Sequence, residues 1–165
     1  MPEEAGFDKS KEFCSLVMNG SVLPVPNNEA DMACIDRLRG SKTVWLGFHR
    51  ESSDGYSAEQ YLALDNSGYL NKDKFQKWLP SQPAEILQKR CAAATQLKNG
   101  QAGWFTDNCV TRYSVICQDL PGNYLRMSPR LCHVRCSNDA AFVCNYVHAY
   151  EVAQQSCAAH LVMVL

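Results

Sequence analysis

The stretch GWFTDNCVTRYSVIC, Gly103 to Cys117, gathers side chains that could do chemistry. It carries a tryptophan, the oxygen-bearing Thr106, Asp107 and Asn108, and two cysteines, with Phe105 set among them. Thiols beside oxygens suggest metal binding, disulfide cross-linking or nucleophilic catalysis. The four histidines, His49, His133, His148 and His160, show no HExxH spacing, and no GxSxG turn or phosphate loop occurs. None of them pairs with a nucleophile in a recognised local motif, so the chain is read as non-catalytic.

The cysteines decide between the other two chemistries. There are nine in 165 residues, a density that means disulfides in an oxidising compartment and metal in the cytosol. A zinc site would draw on Cys132, Cys136, Cys144 and Cys157 with His133 or His160, but their spacings do not give two close ligand pairs. Disulfides in an extracellular protein are therefore the reading adopted, with an intracellular zinc-binding protein as an alternative. No basic region followed by an apolar core marks MPEEAGFDKSKEF as a signal peptide, so the sequence is expected to be a piece of a longer secreted protein, or a mature segment with an added methionine. An odd cysteine count fits a piece, or one free thiol. The 16 basic and 17 acidic groups are well mixed at a net charge of −1, which argues against a nucleic-acid partner. The terminal LVMVL is far too short to insert across a bilayer.

The elements that position these groups follow from periodicity and punctuation. Asp8 is placed to cap a first helix with Phe13, Leu16 and Val17 on one face, ended by Asn19-Gly20. Asn27 or Asn28 caps a second helix through about Leu38, closed by Gly40. TVWLGF reads as a buried strand, YLAL as a strand inside a polar stretch, and Cys91 to Leu97 as another before the turn Lys98-Asn99-Gly100. Ser114 to Cys117 ends this unit, and DLPGNY is a turn-rich boundary. Two helices followed by strands and long loops indicate an α+β fold. The three tryptophans, Trp45, Trp78 and Trp104, are read as core.

In this order the elements resemble the C-type lectin-like domain, over about residues 7–118. VWLGF looks like the family's core strand, FQKWLPSQP like the approach to its binding loop, and GWFTDNC with SVICQ like its closing strands. The resemblance implies disulfides Cys14–Cys117 and Cys91–Cys109, stabilising by up to about 5 and about 3 kcal/mol in the chain-entropy model. Cys34 has no counterpart and is read as a buried thiol, with a bond to the tail as the alternative. The domain is placed at 1–118, with the strand that normally precedes the first helix missing.

Sugar-binding members hold Ca²⁺ through a Glu-Pro-Asn or Gln-Pro-Asp triplet, an acid two residues before the inner cysteine, and an Asn-Asp pair after the last tryptophan. Here the triplet reads Gln82-Pro83-Ala84, the acid is Lys89, and the pair is Phe105-Thr106. Calcium wants six to eight oxygens, several of them anionic. The resemblance therefore implies a primary site stripped of its donors, with no cofactor and calcium not favoured. Asp107 and Glu85 would restore it only by a register shift. Gln82, Lys89, Arg90, Phe105, Thr106 and Asp107, with the loop around Tyr56, are the candidate contact residues for an extracellular protein or glycan. A calcium-dependent lectin with a non-standard site is the other alternative. For that, Asp54, Asp65, Asn66, Asn71 and Asp73 supply oxygens in no tight pattern, and they read first as turn residues.

The remainder, 119–165, resembles the opening of an apple or PAN module. Its helix carries Cys132 and Cys136, strands carry Cys144 and Cys157, and these four are expected to form disulfides.

Overall fold

The computed structural model describes residues 4–17, 20–51, 60–119 and 160–163. Helix α1 spans Phe7–Val17 and α2 spans Glu29–Arg39. The strands are β1 (Glu4–Ala5), β2 (Val44–Arg50), β3 (Tyr61–Ala63), β4 (Cys91–Gln96), β5 (Ala102–Asp107), β6 (Tyr113–Ser114), β7 (Ile116–Asp119) and β8 (His160–Met163). One sheet runs β1-β6-β2-β4-β5, with β3 also paired to β2, and a second joins β7 to β8.

α2 begins and ends where its sequence requires. Asn28 is the N-cap, its Oδ1 accepting from the Asp31 amide at 2.9 Å, while Asp31 reaches back to the Asn27 amide at 2.9 Å. Gly40 closes it with a φ of 57°, a left-handed turn that other residues adopt at a cost. The expected Asp8 cap of α1 is corrected by the structure. The first helical bond runs from the Ser10 amide to the Gly6 carbonyl at 2.9 Å, so Asp8 lies inside the first turn. Gly6 takes that place because a Cβ there would meet the Cys109 carbonyl at 3.1 Å.

β2 is apolar on alternate sides because both faces of the sheet are covered. Val44, Leu46 and Phe48 join Met32 and Ile35 of α2, together with Trp104, in one buried cluster. Trp45 joins Phe7, Cys14, Cys91, Ala93 and Cys117 in the other. Trp45 and Trp104 are fully buried, while Trp78 packs partly buried against the first cluster. Gly47 sits where segment 23–25 crosses β2. Its amide donates to the Pro24 carbonyl at 2.8 Å, and a Cβ would fall 2.5 Å from the Leu23 carbonyl oxygen.

The closing run, expected as one strand over Ser114 to Cys117, is split. Tyr113 and Ser114 pair with Ala5 and Glu4, and Ser114 also lies beside Val44 in parallel. Past the buried Val115 the chain leaves that sheet, and β7 pairs with β8 in the register Ile116↔Met163 to Asp119↔His160. One short run thus serves two sheets. Residues Glu4 and Ala5 supply a two-residue strand ahead of α1, where the sequence suggested none. The expected strand in CAAHLVMVL is present as β8.

Cys14–Cys117 and Cys91–Cys109 are both formed, each with Cα atoms 5.3 Å apart. Cys34 is buried but is not a thiol: it is disulfide-bonded. Tyr56, Asp54, the apple-like helix and strand, and Cys132, Cys136, Cys144 and Cys157 lie outside the described residues.

Candidate functional site

β5 is the edge of the larger sheet, and segment 77–84 lies along its outer side. The Trp104 amide donates to the Lys77 carbonyl at 2.7 Å, and the Leu79 amide donates to the Trp104 carbonyl at 2.8 Å. Gly103 permits this approach, because a Cβ there would lie 2.8 Å from the Lys77 carbonyl oxygen. Two residues on, Gln82 takes over. Its Oε1 accepts from the Thr106 amide at 3.0 Å and from the Thr106 hydroxyl at 3.1 Å, while Thr106 Oγ1 accepts from the Ala84 amide at 2.9 Å. The Gln82–Pro83 peptide is cis. At its near end the segment is tied to α2 by an ion pair from Lys77 Nζ to Glu29 Oε2 at 2.9 Å.

Side chains alternate across a strand, and that alternation separates the six expected contact residues. Thr106 shares the face of Trp104 and is fully buried, its hydroxyl spent on Gln82. Phe105 and Asp107 lie on the other face, where Phe105 pairs in register with Ala93 and packs edge-on against Tyr113 at 6.0 Å. Phe105 is a partly buried member of the second core cluster. The structure thus brings Gln82 and Thr106 together, and does not bring Phe105 or Asp107 to them.

Asp107 Oδ2 accepts a 2.6 Å hydrogen bond from the Tyr113 hydroxyl. Partial burial works against its charge, but that bond, further bonds from Asn108 and Thr111, and the Lys89 cation together hold the carboxyl below its usual range. Tyr113 is pushed well above the ordinary phenol value, first by burial and then by its carboxylate acceptor. Lys89 sits at a turn, its amide donating to the Ile86 carbonyl at 3.0 Å and its own carbonyl accepting from the Tyr61 hydroxyl at 3.3 Å. Arg90 is exposed, and its carbonyl accepts from the Arg50 amide at 2.9 Å.

That turn presents residues the sequence reading passed over. Ile86 and Leu87 are 46% and 43% exposed, two adjacent large apolar side chains between Glu85 and Lys89. The signal was available as an apolar pair inside an otherwise polar loop. Elsewhere in the long loop region the oxygens are locally engaged: Asp65 Oδ1 accepts from the Ser67 amide and Asn71 Oδ1 from the Asp73 amide, as turn residues do. Among the described residues, no three His, Cys, Asp or Glu side chains are grouped as a metal site, and no helix is long and apolar enough to cross a membrane.

Similarity to known proteins agrees with the fold. The C-type lectin domain of murine dendritic cell inhibitory receptor 2, solved in complex with N-glycan, superposes with a TM-score of 0.59 at 21% identity, covering 71% of this chain and 84% of that one. A calcium-independent type II antifreeze protein superposes with a TM-score of 0.54 at 19% identity over 70% and 78% of the two chains. Human lithostathine does so with a TM-score of 0.54 at 18% identity over 69% and 83%. None of the curated proteins matches the chain. With two helices, a mixed sheet, two framework disulfides and a match to the Lectin C-type domain across residues 3–119, the chain belongs to the C-type lectin domain family.

Proposed function

We propose that this chain is a non-catalytic extracellular recognition module. It contacts a protein or glycan through the turn at 84–90 and takes no calcium at the site next to Gln82. The observation that carries the reading is the bonding of Gln82 Oε1, which already accepts both donors of Thr106. A calcium ion entering there would have to break those bonds and strand a fully buried hydroxyl. It would gain few oxygens in return: Ala84 offers a methyl, Lys89 a like charge, and Asp107 faces the other side of β5, bonded to Tyr113. The residues present do not fit the ion.

The turn combines the exposed Ile86, Leu87 and Arg90 with the half-buried Lys89, the mixture of apolar area and charge that contact surfaces use. The murine relative is described in complex with an N-glycan and one antifreeze relative as calcium-independent, so a ligand-bearing and a metal-free use both have precedent on this fold. The framework disulfides support an oxidising, extracellular setting.

Calorimetric titration with Ca²⁺, run beside a glycan array with and without chelator, tests the proposal. Expected are no binding heat and an array pattern that chelator leaves unchanged. Chelator-sensitive sugar binding would overturn it.

A further inference from the structure

α1 meets β2 through a ring contact that includes a titratable group. His49 lies tilted against Phe7 with ring centroids 5.8 Å apart, and the buried Phe7 also packs edge-on to Trp45 at 5.6 Å. His49 Nδ1 is buried and has no hydrogen-bond partner among the described residues. A neutral imidazole can leave that nitrogen as a bare lone pair. The cation carries a proton on both nitrogens, so it would bury an unanswered N–H there. Lys11 of α1 and Arg90, next to β4, oppose the cation, while Glu51, just past β2, and Asp8 of α1 favour it. The contact with Glu51 is weak, because its Oε1 is 3.8 Å from Nε2 and its side chain is 58% exposed. The flanking strands add no charge: the register partners of His49 are Leu62 and the disulfide-bonded Cys91. Burial first, and then Lys11, hold His49 below its ordinary value of 6.5.

We infer that His49 is an acid-operated catch between the first turns of α1 and the core sheet. Protonating it loosens Phe7–Lys11 and β1 with them, while the Cys14–Cys117 disulfide keeps the rest of the helix in place. This N-terminal segment has few other ties. The Phe7 amide donates to the Cys109 carbonyl at 2.8 Å, Trp45 Nε1 donates to the Ala5 carbonyl at 2.8 Å, and β1 pairs with β6 over two residues. Once the segment lifts away, His49 returns toward its ordinary value. The loosened form therefore takes up a proton that the docked form refuses. Docking is at full strength above pH 6.5 and weakens as pH falls from there to the lower docked value. The loss begins well above that of Asp107, whose ordinary value is 3.8. The catch works whether or not the turn at 84–90 meets a ligand.

Amide exchange of the full chain, followed from about pH 8 to about pH 5 and expressed as protection factors, tests this. Protection across Phe7–Lys11 is expected to fall by about tenfold while that of Cys91–Gln96 stays unchanged. In His49→Gln the fall at Phe7–Lys11 is expected to disappear. Constant protection in the parent overturns the catch, as does a fall that persists in the variant or one shared equally by Cys91–Gln96. If the variant does not fold, titration of the His49 ring signals by NMR in the unaltered chain decides. A midpoint below 6.5 supports the catch, and one at or above 6.5 overturns it.

Discussion

The two faces of β5 hold their neighbours by different means. On one, Trp104 and Thr106 meet a loop through hydrogen bonds: Lys77, Leu79 and Ala84 each give or take one, and Gln82 takes two. On the other, Phe105 and Asp107 meet Tyr113, and the strand pair is closed by the Cys91–Cys109 bond. A directional bond fixes a loop's position but gives way if one partner is removed; a covalent closure tolerates looser packing around it. A family-type ligand site needs a placed loop, so it is the hydrogen-bonded face that determines whether the site is open or filled. Here Gln82 and Thr106 are bonded to each other on that side.

The comparison can be broken most severely at Trp104, which lies at the centre of the first cluster and donates from Nε1 to Met32 Sδ at 3.2 Å. Trp104→Ala is expected to cost about 3–5 kcal/mol, read as a lowered midpoint in denaturant unfolding. A loss below that of Tyr113→Phe would show that the loop face does not carry the fold. Gln82→Ala should cost about 1–3 kcal/mol, because it leaves the buried hydroxyl and amide of Thr106 without their acceptor. Its signature is local, with faster hydrogen exchange at Thr106 and Ala84 and none at Asp107. Uniform acceleration along β5 would mean that the two faces are not independent.

Tyr113→Phe sharpens the other side and is the smallest change, about 1 kcal/mol at neutral pH. The Asp107 carboxyl is held below its usual value of 3.8 in the folded chain. It therefore contributes stability above that pH, which is lost as pH falls through the lower folded value. Removing the tyrosine hydroxyl raises the folded value toward the unfolded one, so the difference between variant and parent should shrink as both are acidified. A constant difference down to the most acidic point would show that Tyr113 acts by packing alone.

Much of the fold was readable because local chemistry and tertiary need agree. Asn28 and Gly40 mark α2 at both ends, and the apolar run of β2 follows from burial on two sides. The four framework cysteines were placed through the resemblance, not through spacing. What escaped was non-local. Asp8 looks like a cap, but the carbonyl of Cys109, about a hundred residues on, gives that place to Gly6. The split at Val115 depends on which strand lies beside each half, and the pairing of β7 with β8 has no trace in either segment alone. At the site, the sequence shows Ala84, Lys89 and Phe105 where the resemblance implies oxygen donors. The separation of Phe105 from Thr106 was visible too, since neighbours in a strand point apart, yet they were grouped as one patch.

The capped edge of β5 has a consequence for any partner. The outward amides of Trp104 and Thr106 are taken by Lys77 and Gln82, so no foreign strand can extend the sheet there. Backbone zippering, the least selective way for two chains to meet, is closed off along that border. Whatever docks nearby must be chosen by the shape and charge of side chains.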